Sequence, residues 1–529
     1  MTGSNLEPAA VSVRRNRRLM SKKRRPSRML LAAMLLVATA LQVTGTAPAR
    51  AATSPLITIS GPTPFSSCQT SGSDTLFVNA ETAPVVAANP ATVGTDHVNV
   101  LAAWEQDRWQ QINMRGIAGA TSFDGGKTWA RTVLPFGQCA SPASKYDRVG
   151  APWVTFGPDG IAYAVARGTK ADGNAIFAAT SSDGGRTWRT ASTTITEDGS
   201  NFYNNDPKVT ADPKQPGTAY IVWNRTDTSG DDAPEKIWAV KTTDGGKTWT
   251  KPTVVVDSPT WTFAVNDRIL IDPRNGTLYL LYQHASARTV TQQVCHKVKV
   301  KGKKKKKKVC QQKQVVPPNP DFDVFVGFVK SSDGGQTWSR PSLIRKMLDY
   351  STAEGCVCAV SRLSFYPISA IDPTSGKIYA AVEEGTFTNG DHPEISVMSS
   401  GDGGATWSQP TRINADLKTP ALIPSIAVNT IGVVGVTYYD FRHATADKPS
   451  ITDYWFISSS DGGAHFDHEQ HLGGPFDMLG APLTRASTYY VGGYQGLTAV
   501  GSSFLATFVM ANAGTKDNPT DVFATTITP

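Results

Sequence analysis

Several short runs combine arginine, carboxylate and aromatic residues in a way that could grip and cleave a polar ligand. They are Trp104-Glu105-Gln106-Asp107-Arg108, Tyr146-Asp147-Arg148, Trp223-Asn224-Arg225, Asn266-Asp267-Arg268, Glu383-Glu384 and Tyr438-Tyr439-Asp440-Phe441-Arg442-His443. Arg167, Tyr203-Asn204-Asn205-Asp206, Tyr282-Gln283-His284, Arg362, Tyr366 and Tyr489-Tyr490 are of the same kind. A guanidinium is planar and gives two-pronged hydrogen bonds to a carboxylate. Aromatic faces stack on sugar rings, and paired carboxyl groups can act as acid and base in glycoside cleavage. Such a set suits an anionic or carbohydrate ligand. A single Asp–Arg pair is just as readily a tie between elements. Convergence on one spot is what would make a site.

That convergence depends on a repeat. Six motifs run Ser122-Phe-Asp124-Gly-Gly126-Lys-Thr128-Trp129, then the same pattern from Ser181, Thr242, Ser331, Ser400 and Ser459, the last ending His465-Phe466. Their aspartates are 59, 61, 89, 69 and 59 residues apart, which identifies structural units in series. Asp-Gly-Gly tolerates positive φ, and the Asp and Ser/Thr side chains can bond nearby amides, so each motif is a tight turn. The terminal aromatic residue falls on the outgoing strand. These carboxylates belong to architecture rather than to catalysis.

A weaker repeat precedes the boxes, at Gly157–Tyr163, Asp212–Tyr220, Asp272–Tyr279 and Asp372–Tyr379, with β-rich runs on either side. The unit is therefore strand, turn, strand, long loop, strand, Asp-box turn, strand, which is a propeller blade. The expected fold is an all-β propeller of seven blades, six being the alternative. The seventh blade, from about Tyr490 to Ile527, is one strand short, and Leu56–Ile59 or Thr75–Val78 could supply it. Connectivity puts the boxes on one face of the ring. The runs that open this section fall on the opposite face, around the axis.

Arg14–Arg28 is basic, Met29 to Val43 is apolar, and Ala49-Arg50-Ala51 is small-residue, the layout of a secretory signal over residues 1–51. The propeller is expected over 52–529. The full chain carries a formal +8, but 1–51 hold ten of the Lys/Arg residues and one acid, leaving the remainder near −1. The basic pI thus says little about partners. Six cysteines in an exported chain read as disulfides. Cys295 with Cys310 would staple an insertion and Cys68 with Cys139 would tie the amino-terminal arm, while Cys356 and Cys358 could pair only with strain.

The insertion, 287–320 in the fourth blade, holds nine lysines between Lys297 and Lys308. A solvated, disordered loop is expected, able to touch anionic polymers. No aromatic residues are interleaved, which argues against specific nucleic-acid recognition. No cofactor motif or metal-ligand run occurs, and a monomer is expected.

Six Asp boxes in propeller blades resemble the sialidase (neuraminidase) superfamily and its bacterial-neuraminidase-repeat relatives. The resemblance implies a retaining exo-α-sialidase acting on extracellular glycans or glycoconjugates. In it three arginines hold the substrate carboxylate, a tyrosine attacks the anomeric carbon, a glutamate assists and an aspartate is acid/base. By position, Arg148, Arg268 and Arg442 are candidate arginines, with Arg108 and Arg225 as further substrate contacts. Tyr439 and Tyr490 are candidate tyrosines, and Asp107, Asp147, Glu383, Glu384 and Asp440 candidate carboxylates. The family's Arg-Ile-Pro element ahead of the first box is absent. The competing class is a non-catalytic propeller that holds a glycan or protein; it predicts that no arginine triad converges.

Overall fold

The computed structural model describes residues 54–529 except 71, 73, 200, 231, 232, 300–305, 319 and 351–365. The segment 1–51, Cys356, Cys358, Arg362 and the lysines at 301 and 303–305 lie outside the described residues. The described chain is all-β, with two single-turn 3-10 segments, and its arrangement is propeller-like.

Among the described residues the strands form five four-stranded antiparallel sheets, one eight-stranded sheet that divides into two groups of four, and a two-stranded hairpin. The first sheet is Leu76–Ala88, Val100–Trp109, Met114–Ser122 and Ala130–Val133, and the second is Arg148–Phe156, Ala162–Lys170, Gly173–Ser181 and Ser192–Asp198. One backbone pair, Met114 with Val149, joins these two. The third is Phe202–Ala211, Ala219–Asp227, Glu235–Thr242 and Thr253–Val256; the fourth is Thr262–Ile271, Leu278–Ala287, Phe322–Ser331 and Ser342–Met347. The fifth is Ile368–Ile371, Ile378–Glu384, Glu394–Ser400 and Thr411–Arg412; the sixth is Ala421–Val428, Val434–Asp440, Ile451–Ser459 and Asp467–Asp477. The seventh is Gly496–Val500, Ser503–Ala511 and Thr520–Ile527, and its outer strand comes from the amino-terminal arm, where Ile57 pairs with Ala524 and Thr58 with Phe523. The first strand of each sheet touches that of the next, and Gly496–Val500 touches Leu76–Ala88.

The Asp box works as its residue types require. The Ser122 hydroxyl donates to Asp124 (2.7 Å) and accepts the Gly126 amide (2.9 Å); the Thr128 amide (2.9 Å) and hydroxyl (2.6 Å) donate to the same carboxylate. In the sixth box His465 takes the threonine's place, its Nδ1 lying 2.7 Å from Asp461. Gly126 has φ +93°, and a Cβ there would lie 2.3 Å from Leu505 of the seventh sheet. The boxes also reach the preceding sheet by hydrogen bonds: Thr121 and Asn99 of the first sheet donate to Gly184 O of the second box, and Thr526 of the seventh to Gly125 O of the first. The aromatic residues that end the boxes pack half-buried on the apolar cores between sheets.

Both disulfides bracketed in the sequence form, Cys68 with Cys139 and Cys295 with Cys310. The expectation of a disordered lysine loop is corrected. Val290–Lys299 and Lys306–Val315 pair as an antiparallel hairpin in register from Val290–Val315 to Lys299–Lys306, with Cys295 opposite Cys310. Alternating Val, Thr and Gln give the strands their β character, and the disulfide pins their register. Among the described residues no helix is long and apolar enough to cross a membrane.

Candidate functional site

The innermost strands carry a local distortion that builds the site. Register shifts interrupt the first strand after Thr82, Gly150, Asn205, Asn266 and Leu422. At four of these shifts a non-glycine residue is left-handed: Ala83 (φ +49°), Ala151 (+52°), Asp206 (+49°) and Ile423 (+53°). Such backbone is costly for Ala and especially for Ile. The freed amides are caught by neighbouring sheets. Ala151 N donates to Glu105 (2.9 Å) and Ile423 N to Glu383 (2.8 Å). In the same spirit Ser369 N donates to Asp267 (2.7 Å). Several carboxylates on this face are therefore ties between sheets.

Around the axis the structure gathers groups from seven separate stretches of chain. Lys208, fully buried, is paired with Asp206 at 2.5 Å, and its ammonium lies 4.8 Å from the Trp153 ring, 5.5 Å from Tyr366 and 4.7 Å from Tyr494. The Arg108 guanidinium covers the Tyr490 ring at 4.1 Å. Arg167 bonds Asn205 and Asn113 and lies over Tyr203 at 5.5 Å. Arg268 donates to Ser369 O (2.8 Å) and faces Trp153 at 5.9 Å. Burial, reinforced by the Glu105 and Asp206 charges, holds the Tyr366, Tyr490 and Tyr494 hydroxyls well above the ordinary phenol range, so all three stay protonated donors. Burial also raises Glu105, against Arg108 and the Ala151 amide, and raises Asp267, against Arg268 and its bonds to Ser369. One Asp267 oxygen is buried without a hydrogen-bond partner. Tyr203, Asp206 and Arg268 keep partial exposure.

Of the residues singled out in the sequence, Arg108, Arg268 and Tyr490 thus belong to this cluster. Others sit elsewhere. Arg148 is held by Asp74 (2.7 Å) and lies over Trp109 at 4.5 Å, against the amino-terminal arm. Arg442 is shared between Asp440 and Glu469 (2.6 Å) and covers Trp455 at 3.7 Å, on the flank of the sixth sheet. Arg225 lies over Phe202 at 4.1 Å and Trp238 at 5.1 Å. Arg148, Arg268 and Arg442 share no partner, so they do not make the expected triad.

Asp107 is buried with φ +62° and accepts from Thr63 (2.7 Å), Asn79 N (2.8 Å) and Arg115, which makes it an anchor for the amino-terminal arm rather than a catalytic carboxylate. Glu384 is bonded by Arg345, Thr386 and Ser396, and Glu383 by Tyr350 and Ile423 N. Tyr439 is sealed in the core, its hydroxyl donating to Val509 O (2.7 Å) between Tyr454 and Phe476, beyond any substrate's reach. Asp440 is raised by burial despite Arg442, and also accepts from Trp455 (2.9 Å). Asp147 is half-buried ahead of the second sheet.

Lys208, Trp153 and Tyr494 were missed, and Glu105, Arg167, Asp206 and Tyr366 were named among the polar runs but given no role. The available signal was Asp206-Pro207-Lys208: two charges inside a strand that the repeat makes innermost. Among the described residues no group of three or more His, Cys, Asp or Glu is placed to hold a metal ion. A cavity of about 480 Å³ lies away from this cluster, beneath the amino-terminal arm, lined by Pro62, Pro64, Trp104, Arg131, Arg186 and Trp188 among others.

Residues 110–290 match the BNR repeat-like domain. In this span the chain is similar to bacterial-neuraminidase-repeat proteins, in keeping with its boxes and all-β, propeller-like sheets. No curated protein matches. Among solved structures the chain is similar to an α-L-arabinofuranosidase of Fusarium graminearum, at 10% identity over 85% of this chain and 96% of that one, TM-score 0.43. It is similar to an ulvan lyase described as a new polysaccharide lyase family, at 11% identity over 84% and 94%, TM-score 0.47. An intramolecular trans-sialidase from Ruminococcus gnavus matches at 13% identity over 85% and 95%, TM-score 0.39.

Proposed function

We propose that this protein is an exported, sialidase-like glycoside hydrolase on a seven-bladed propeller closed by its amino-terminal strand, acting on extracellular glycans through the axial cluster. The observation that carries this reading is the gathering of Arg108 over Tyr490, Arg167 over Tyr203 and Arg268 over Trp153, with the buried Lys208–Asp206 pair also against Trp153. Arg108, Arg167 and Arg268 receive the acidic group of the sugar. Tyr490 attacks the anomeric carbon: a neutral nucleophile suits a centre that already bears a carboxylate. Glu105, whose proton affinity is raised by burial, takes the phenolic proton. The partly exposed Asp206 serves the leaving oxygen.

The test is turnover of a fluorogenic sialoside by the folded protein. Tyr490→Phe and Arg268→Ala are each expected to lower kcat/KM by about a hundredfold or more. A second reading, glycan binding without cleavage, is favoured by one observation: Glu105 is already bonded to Thr82 (2.8 Å) and Ala151 N (2.9 Å), as a tie between sheets would be. It predicts sialoside binding that Arg268→Ala weakens, with no release of the fluorophore. Absence of turnover on any sialoside by folded protein removes the hydrolase reading.

A further inference from the structure

The lysine hairpin holds its charge together at a cost. It leaves the fourth sheet after Ala287 and returns at Phe322, rooted by Arg288 N donating to Asp321 O (2.7 Å) and by the Arg288 side chain on Asp323 (2.8 Å). Its ten-residue strands reach about 30 Å outward. Register sets Lys297 opposite Lys308 and Lys299 opposite Lys306, and like charges directly opposite are destabilising. A two-stranded hairpin standing alone is marginal in water. The Cys295–Cys310 bond, two residue pairs before Lys297–Lys308, supplies the missing constraint. From 289 to 320 there is no acidic residue to neutralise the lysines. Lys297, Lys308 and Lys313 are exposed. A fold that fixes repelling charges with a covalent clip leaves them for an outside anion.

The composition narrows what that anion is. The same stretch has no Phe, Trp or Tyr, so nothing can stack on bases as single-stranded nucleic-acid sites do. It has no Leu, Ile or Met, so it offers no apolar wedge for a bilayer, only valine. Register puts the exposed Lys297 and Lys308 directly opposite each other, and same-face positions along a strand recur about every 6.6 Å, a spacing suited to a string of spaced anions. The hairpin rises from the sheet end where Thr262 pairs with Ser286, opposite the end where Ile271 pairs with Leu278.

We propose that this hairpin is a docking arm for an acidic polysaccharide. The choice of a polysaccharide rests on the glycan reading above; the binding itself is independent of catalysis. The full-length protein, folded and oxidised, is assayed for binding to polygalacturonate, neutral dextran, oligo-dT and phosphatidylglycerol vesicles. Polygalacturonate is expected to bind at low salt and weaken as salt rises, and dextran not to bind. The combined change Lys297→Gln, Lys299→Gln, Lys306→Gln and Lys308→Gln is expected to weaken binding about tenfold or more, whereas arginine at the same four positions retains it. The glutamine variant is expected to leave turnover of the small fluorogenic sialoside unchanged, so the two readings fail separately. The proposal is overturned if the glutamine variant binds as the natural protein does, or if vesicles or oligo-dT bind more tightly than polygalacturonate.

Discussion

Glu235 opens the third strand of the third sheet with its side chain buried, and burial raises its carboxyl from an ordinary 4.5 to about 7, against hydrogen bonds from Asn224 and Thr226. The unfolded chain releases that proton near 4.5 while the folded chain keeps it to about 7. Its contribution to stability is therefore full below about 4.5 and lost as pH rises through 7. Glu235→Gln keeps the shape and removes the charge. Urea unfolding of this variant should show a gain of about 3 kcal/mol at pH 8 and almost none at pH 4; an equal gain at both would refute the assignment. The same physics explains what was hard to read in the sequence at this scale. Tyr439 and Asp440 sit in a run that looks catalytic, yet strand alternation sends Tyr439 into the core. Asp107 looks equivalent to Asp147, but its left-handed backbone aims it at the amino-terminal arm. Residue type announces the chemistry available; φ and register decide where it points. Lys208 shows the converse, since a buried lysine in a strand declares a charge partner, and Asp206 stands two residues away.

At the scale of the element, the boxes were legible because the turn is written in contiguous residues. Burial slightly opposes it, but the hydroxyl and amide of Thr128 hold Asp124 down to about 2. The stability this carboxylate contributes is present above its ordinary 3.8 and lost as pH falls towards 2. Asp124→Ala should cost about 1 kcal/mol at pH 7, the carboxylate being only partly buried, and clearly less at pH 2; thermal unfolding at the two pH values checks it. Gly404 is the more demanding position. It has φ +83°, and a Cβ would lie 2.2 Å from the Phe328 ring of the fourth sheet. Gly404→Ala combines backbone strain with overpacking and should cost about 2–5 kcal/mol. The lysine hairpin was less legible, because composition alone reads nine lysines as a disordered segment while the constraint comes from a cross-strand disulfide. Cys295→Ser with Cys310→Ser should therefore accelerate amide exchange between Val290 and Val315 and leave the melting temperature of the sheets unchanged.

For the whole molecule, the decisive contact lies between the two ends of the described chain. Ile57 and Thr58 complete the seventh sheet on Thr520–Ile527, Ser60 donates to Asp521 (2.8 Å), and Asp107 fixes Thr63 and Asn79 farther along the arm. The first strand of the first sheet then packs on the first strand of the seventh. Sequence reading could foresee this because the last repeat lacks a strand and a β-rich run waits near the start. Which of two runs would serve was a matter of register: Leu76 onward is already committed to Val100–Trp109. Removing the arm strand would leave Thr520–Ile527 as a bare edge, with its amides and carbonyls open to pairing with another chain. A double change, Ile57→Pro and Ile59→Pro, takes away strand donors and should have that effect, together with the loss of Ile59 from the core it shares with the first and sixth sheets. We expect concentration-dependent association by light scattering, a lowered melting temperature, and faster amide exchange in Thr520–Ile527 than in the sixth sheet. A variant that stays monomeric and melts as the natural protein does would mean that the seventh sheet holds without the arm.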